Sequence, residues 1–344
     1  MSSISVVMPV RNAERFLDEA IASVTSQTFR DIELIVVIDA STDRSEEIAR
    51  ASARQDARIR VAQNYGLGLV DALNTGCALA EAALVARLDG DDRMHPTRLQ
   101  RQQDFLEANP QVVALGSPAV IIDEASRPIG RIAVPVADAA LRARLVRGNP
   151  FVHSSMMLRR SAVAASGGYR NDFPLVEDVD LWFRIAQLGR LANLPEPLVD
   201  YRRHSASVSA ANDERQRLAH HLYILAWQCR EGLIEEAAAA PLRLDLARLF
   251  ERIGALSLEP GQFQASDLAL FQRLVPRLGG GETRRLRRIV AGARRQGRIG
   301  AAAAIRFGLE ATASRLAYDL RSRRSARRLS RLSGESSAWE SSDR

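Results

Sequence analysis

The sequence predicts an α/β fold, a mainly parallel sheet covered by helices on both faces, with a helical extension at its C-terminal side. Two observations carry the first part. Short apolar runs alternate with helical periodicity from Ile4 to Leu88, the pattern of βαβ units. Hydrophobic residues make up 46% of the 344, ample for a buried core. The second part rests on a change of pattern beyond about Ser209, where strand signals vanish and Ala-, Leu- and Arg-rich helical stretches continue to about Arg328.

Ile4 to Met8 is apolar and ends at Pro9, as a buried strand would. Phe16, Leu17, Ala20, Ile21 and Val24 recur at helical spacing and predict a helix over 13–26. Ile32 to Ile38 is a β-branched strand, followed by a helix from Arg44 to Arg54 with Asp43 as its N-cap. A strand from Arg58 to Ala62, a helix from Leu67 to Ala80 and a strand from Leu84 to Leu88 complete the alternation, and the last runs straight into Asp89-Gly90-Asp91-Asp92. A helix carrying Leu99 and Phe105 follows Pro96 and ends near Asn109-Pro110. Val112 to Ile122 reads as two short strands broken at Gly116 to Pro118, 138–146 as helix, Met156 to Leu158 as strand, Asp178 to Leu188 as helix and Leu198 to Tyr201 as a last strand. The final residues, 332–344, rich in Ser and Glu, predict a disordered tail.

Composition excludes several chemistries. All 48 basic residues are arginine, so a P-loop lysine and a pyridoxal Schiff base are ruled out. Cys77 and Cys229 stand far apart with no C-x-x-C, which excludes a disulfide framework and a cysteine zinc site and fits a reducing compartment. The start of the chain has no basic region followed by an apolar one, and no apolar run approaches the ~20 residues of a membrane span. The expectation is a cytoplasmic protein, soluble or peripheral on the inner face of the plasma membrane. The net charge of +7 is local in origin: between Arg284 and Arg331, 15 arginines face only Glu310 and Asp319, and the remainder is net acidic.

In parallel sheets ligands bind beyond the carboxyl ends of the strands, where Asp39 and the acidic cluster both fall. Three carboxylates within four residues repel one another unless a cation is present, so Asp89, Asp91 and Asp92 fit a hard divalent ion that also holds a diphosphate; a polar loop capping the next helix is the other reading. Glu177-Asp178 opens a helix, which suits the helix dipole and equally a general base. His153 and His204 read either as hydrogen-bonded structural groups or as contacts to metal or phosphate. Gly66-Leu67-Gly68 lacks the third glycine of a dinucleotide loop.

Taken in order, these segments resemble the family 2 glycosyltransferases of bacterial polysaccharide biosynthesis, over about Ile4 to Ser207. Ser5-Val6-Val7-Met8-Pro9-Val10-Arg11-Asn12 is similar to the family's opening strand and turn, Ser26-Gln27-Thr28-Phe29 to the end of its first helix, and Ile38-Asp39-Ala40-Ser41-Thr42-Asp43 to its "DDGSTD" segment. Asn64 to Asn74 resembles "N-x-G-L…A-L-N", and Ala86-Arg87-Leu88-Asp89-Gly90-Asp91-Asp92 the metal box "ARxDxDD". His153-Ser154-Ser155, Gly167-Gly168-Tyr169, Glu177-Asp178-Val179-Asp180-Leu181-Trp182 and Tyr201-Arg202-Arg203-His204 complete nine motifs in order.

The resemblance implies the GT-A nucleotide-diphospho-sugar transferase fold, with a Rossmann-like mixed, mainly parallel sheet, over 1–208. A helical, arginine-rich region over 209–331 would follow. It also implies an inverting, metal-dependent transfer of a sugar from a nucleoside-diphosphate donor to a saccharide or lipid-linked saccharide acceptor. A UDP-sugar is favoured and a dTDP-sugar is the alternative. In that scheme Asp39 accepts a hydrogen bond from the nucleobase, with Pro9, Val10, Arg11, Asn12, Asn64 and Asp89 also at the nucleotide. Asp91 and Asp89 hold Mn2+ or Mg2+, with His153 and His204 as further candidates, and Asp178 is the catalytic base. Two departures stand out: Ile38 replaces the first acid of "DD", and Arg11 replaces the tyrosine often found before Asn12, where an arginine can stack instead.

The arginine-rich segment 284–331 carries interspersed apolar residues such as Ile289, Phe307 and Tyr318. It reads as a basic amphipathic surface for anionic lipid, at ~1 kcal/mol per arginine near the membrane, or as solvated helices packed on a neighbour. With 5% aromatic residues the chain offers no base-stacking platform for nucleic acid. Two other functions fit parts of the pattern. A sugar nucleotidyltransferase normally needs a Gly-rich N-terminal loop and a lysine, both missing here. A non-catalytic nucleotide- or glycan-binding protein has no need of the intact acidic box and Asp178.

Overall fold

The computed structural model describes residues 3–204 except Leu67, Val146, Arg147 and Pro174, together with His220, Tyr223, Ile224 and Trp227. Apart from those last four residues, the helical extension expected from residue 209, its arginine-rich segment and the tail lie outside the described residues. The chain divides into two compact units, one of Met1–Arg144, Asn149–Asn171 and Asp180–Ala210, the other of Leu145–Gly148, Asp172–Val179 and Ala211–Arg344.

Strands and helices alternate as the periodicity requires: β1 (Ile4–Val10), α1 (Leu17–Thr25), β2 (Ile32–Ile38), α2 (Ser45–Gln55), β3 (Ile59–Gln63), α3 (Leu69–Leu79), β4 (Leu84–Arg87). Then follow β5 (Arg93–Met94), α4 (Arg98–Ala108), β6 (Val112–Gly116), β7 (Ala119–Ile122), β8 (Pro128–Ile132) and α5 (Asp138–Leu145). A 3-10 turn at His153–Ser155 leads into β9 (Met157–Arg159), α6 (Arg160–Ser166), α7 (Glu177–Ile185), β10 (Arg190–Asn193) and β11 (Val199–Arg202).

Seven strands form one sheet in the order β10-β6-β9-β4-β1-β2-β3, parallel throughout except for β9, which runs against both β4 and β6. The period of two along β1 explains how both faces are covered. Val6, Met8 and Val10 pack with Leu17, Ile21 and Val24 of α1 and with Leu99 and Leu106 of α4, whereas Val7 turns the other way, onto Ala72 of α3. The α3 side is close enough that a methyl added at Gly76 would meet Val7 Cγ1 at 2.3 Å.

Some boundaries differ from the sequence reading. Helix α1 begins at Leu17 rather than Ala13; residues 14–16 form a turn in which the Ala13 carbonyl accepts the N–H groups of Phe16 and Leu17 at 2.9 and 3.0 Å, while the N–H groups of Ala13 and Glu14 are satisfied by Ser45 Oγ and Asp43 Oδ2. The second helix starts at Ser45, one residue late, and Asp43 accepts the Ser45 N–H at 3.0 Å. The two strands read within 112–122 do form, but in different sheets: β7 belongs to a second sheet ordered β5-β11-β7-β8, in which β11 is the strand expected at Leu198 to Tyr201 while β5 and β8 have no counterpart in the sequence pattern.

Candidate active site

The parallel register sets the first half of the site. Val10 of β1 pairs with Ile38 of β2, and Ile38 with Gln63 of β3, so Arg11, Asp39 and Asn64 follow the ends of three neighbouring strands. Asp39 is buried; its Oδ1 accepts Asn64 Nδ2 at 2.7 Å and the Gly68 N–H at 3.1 Å, and its Oδ2 lies 3.9 Å from the exposed Arg11 guanidinium. Gly68 has φ +93, a conformation glycine adopts without strain. Pro9 and Val10 are buried in β1, and the Val10 carbonyl accepts the Asp39 N–H at 2.8 Å. Asn12 sits at φ 51 and stitches the turn to the next loop, its Oδ1 accepting the Thr42 N–H at 2.8 Å.

The second half begins where β4 ends. Leu88 still bonds to Val7, then Asp89, Asp91 and Asp92 bring one carboxylate oxygen each to within 4.8 Å of the others. Asp89 is paired with the buried Arg87 and bonded to Ser154 Oγ at 3.1 Å. Asp91 faces His204 Nε2 at 2.9 Å. Asp92 is 1% exposed; its Oδ1 accepts the Arg202 N–H at 2.7 Å, while its Oδ2 is buried with no hydrogen-bond partner. Burial holds both Asp89 and Asp92 above the ordinary carboxylate range; Arg87 opposes this at Asp89, and repulsion from Asp91 reinforces it at both. Three carboxylates with oxygen-only donors, one of them orphaned, fit a hard divalent cation.

The two histidines separate. His204 is bonded to Asp91 and packs its ring on Phe16, with centroids 5.1 Å apart. His153 Nε2 and the Tyr169 hydroxyl share a hydrogen bond of 2.9 Å, and the ring lies edge-on to Trp182; burial, and then the Arg87 charge, disfavour its protonation. Neither histidine is among the residues whose ligand atoms converge, which are Asp89, Asp91 and Asp92. Asp178 is buried in the first turn of α7, within the second unit, and its Oδ1 accepts the Val179 N–H at 2.7 Å.

Three residues to which the sequence assigned no role hold the site together. Arg202, 1% exposed, ties β11 to the acidic loop: its Nε donates to the Asp91 carbonyl at 2.8 Å, an Nη to Glu19 Oε2 at 2.5 Å, and its guanidinium stacks 4.5 Å from the Phe16 ring centre. It stood in a motif noticed for its histidine. Asn74 clamps Tyr169 by both backbone groups, at 2.9 Å each. Arg98, fully buried, donates to the carbonyls of Arg87, Ser154 and Met156 at 2.8–3.0 Å and to Gln102 Oε1 at 2.9 Å. Burial and the neighbouring Arg87 charge bring it down to about 9, so it remains charged at neutral pH. Arg98→Met is expected to lose at least ~3 kcal/mol, since each carbonyl left unsatisfied costs about 1–3 kcal/mol. The urea midpoint measures it, and a shift under ~1 kcal/mol would contradict the clamp.

Comparison with known proteins follows the same outline. The family model "Glycosyl transferase family 2" matches residues 5–167. A putative glycosyltransferase, EpsE, of Bacillus subtilis is 37% identical over 207 residues, 59% of this chain and 73% of that protein. The amylovoran biosynthesis glycosyltransferase AmsE of Erwinia amylovora is 31% identical over 210 residues, 60% of this chain and 78% of that protein. Among solved structures, S. aureus TarS 1–349 in complex with UDP-GlcNAc superposes with a TM-score of 0.53 at 16% identity, covering 100% of this chain and 95% of that one. The mannosyltransferase PcManGT from Pyrobaculum calidifontis, in complex with GDP-Man and Mn2+, gives 0.51 at 16% identity, covering 94% and 86%. At such identities the likeness is one of fold, and the fold is GT-A.

Proposed function

The chain belongs to glycosyl transferase family 2, and on that premise we propose that it is an inverting, metal-dependent transferase that moves a sugar from a nucleoside-diphosphate donor to an acceptor hydroxyl in cell-surface polysaccharide assembly. The observation that carries the reading is the convergence of Asp89, Asp91 and Asp92 at the end of β4, in the same sheet whose β2 ends at Asp39. The relative named for amylovoran biosynthesis supports the polysaccharide context.

Asp39 Oδ2, not engaged by Asn64 or Gly68, is the acceptor for an imide N–H of uracil or thymine, which favours a UDP-sugar and allows a dTDP-sugar. Arg11, held beside it, lies over the base, with Pro9, Val10, Asn12 and Asn64 shaping the ends of the strands. Asp91 and Asp89, with His204 behind Asp91, hold Mn2+ or Mg2+. When bound, such an ion neutralises the charge that develops on the departing diphosphate. Asp178 takes the proton from the acceptor hydroxyl as its oxygen bonds to the anomeric carbon and the bond to the diphosphate breaks on the opposite face, which inverts the centre. The acceptor is a saccharide or lipid-linked saccharide, and the arginine-rich 284–331 brings the enzyme to the anionic inner face of the membrane. No described helix is long and apolar enough to cross it.

Calorimetric titration with UDP, dTDP and GDP, each with and without Mn2+, tests the reading. Mn2+-dependent binding of UDP or dTDP is expected. Binding of none by folded protein would overturn it in favour of a non-catalytic role.

A further inference from the structure

The two serines of His153-Ser154-Ser155 are both buried, at 1% and 0% exposure, and adjacent, yet their hydroxyls face different tasks. A serine hydroxyl has one proton and two lone pairs. At Ser154 all three are committed: Oγ accepts Arg87 Nη1 at 2.9 Å and the Asp89 N–H at 3.1 Å, and donates to Asp89 Oδ2 at 3.1 Å. With both lone pairs filled by donors, its single O–H is left for the acids: it donates to Asp89 Oδ2, and Asp92 also lies within its reach. Its main chain is pinned as well, the carbonyl accepting Arg98 Nη1 at 2.8 Å. Ser155 Oγ bonds instead to Ser117 N, Ser117 O and Val152 O at 2.8–3.0 Å, all backbone, and touches no acid.

We propose that Ser154 is the positioning residue of the acidic cluster: its hydroxyl fixes the rotation of the Asp89 carboxylate and keeps Arg87 from closing fully over it, and so sets the affinity for the divalent cation, while Ser155 serves the fold alone. This rests on the reading of Asp89 and Asp91 as cation ligands. Asp89 has one oxygen on Arg87 and the other on Ser154. Without the hydroxyl, Arg87 Nη1 and the Asp89 N–H lose their acceptor, and the guanidinium, whose Nε is already unpartnered, is free to turn onto the carboxylate and compete with the ion. Loss of an outer group that orients a ligand typically costs ten- to a hundredfold in metal affinity.

The test is the Mn2+ concentration giving half-maximal binding of nucleotide, with UDP as probe, or dTDP or GDP if the wild type binds that one. Unfolding temperature in EDTA is measured alongside. In Ser154→Ala the Mn2+ midpoint rises about ten- to a hundredfold, and saturating Mn2+ restores nucleotide binding. In Ser155→Ala the unfolding temperature falls while the Mn2+ midpoint stays at the wild-type value. Ser154→Cys, nearly isosteric with a weak donor, falls between wild type and Ser154→Ala and serves if the alanine variant does not fold. A wild-type midpoint in Ser154→Ala or Ser154→Cys, or equal shifts in the two alanine variants, overturns the inference. Asp89→Asn separates this from failure of the site reading. If Asp89→Asn also keeps the wild-type midpoint, or the wild type shows no Mn2+ dependence at all, then the cation site is wrong and the inference goes with it.

Discussion

In the Asp178→Asn chain, sugar transfer is expected to fall by about 10²–10⁴, the range a positioned general base contributes, with nucleotide and Mn2+ binding at wild-type levels. The amide has nearly the shape of the carboxylate and keeps an oxygen to accept the Val179 N–H, so packing at this buried position survives. What it lacks is a site for the proton of the acceptor hydroxyl. Asp178 stands in the first turn of a nine-residue helix. Initial rates of nucleoside-diphosphate release in the presence of acceptor measure the effect, and calorimetry measures binding. Undiminished turnover would remove Asp178 from the mechanism and turn attention to Glu177 beside it. A parallel loss of nucleotide binding would instead mean that the first turn of α7 supports the donor.

The sheet was legible where each strand carries its own signal. Ile4 to Val10, Ile32 to Ile38 and Leu84 to Arg87 are mainly apolar runs that need no partner to be recognised, and the chemistry beyond the last two, Asp39 and the acidic cluster, could be placed from them. Of the second sheet only β7 and β11 were legible, because β5 is two residues long and β8, Pro-Ile-Gly-Arg-Ile, is almost wholly exposed and has no buried face to write a pattern. Nor were the residues that aim the acids. Ser154 meets Asp89 across 65 positions, Arg98 meets the Ser154 carbonyl across 56, and Arg202 meets Asp92 across 110. A periodicity records only which face of its own element a residue occupies. Partnerships at that range are fixed by the order of strands, above all by β9 inserting antiparallel between β4 and β6, which delivers the 3-10 turn to the end of β4. Nor does residue type mark them: with no lysine to choose from, Arg98 and Arg202 look like any other arginine until burial singles them out.

Asp91→Ala is expected to make nucleotide binding indifferent to Mn2+ and to abolish metal-stimulated transfer. Losing an outer group such as Ser154 weakens a metal site by ten- to a hundredfold, so loss of a direct ligand should exceed about a hundredfold. Its effect on stability has a direction that a purely structural residue would not share. The Asp91 charge is one cause of the raised proton affinity of both Asp89 and Asp92, so without metal those two carboxylates, once ionised, work against the fold. Asp91→Asn isolates this, because it drops the charge while leaving an oxygen to face His204 Nε2. Asp89 and Asp92 then move back toward their ordinary range. Above that range, where the wild type must hold them ionised at a cost, the metal-free variant unfolds at the wild-type temperature or higher. Adding Mn2+ reverses the ranking. An ion that binds only the folded chain stabilises it by about 2.7 kcal/mol at a hundred times its dissociation constant, and the wild type alone receives that increment. Thermal unfolding of both proteins in EDTA and in Mn2+ reads both signs at once. A variant that is less stable in EDTA yet gains as much from Mn2+ as the wild type would place Asp91 in the scaffold and move the cation to Asp89 and Asp92.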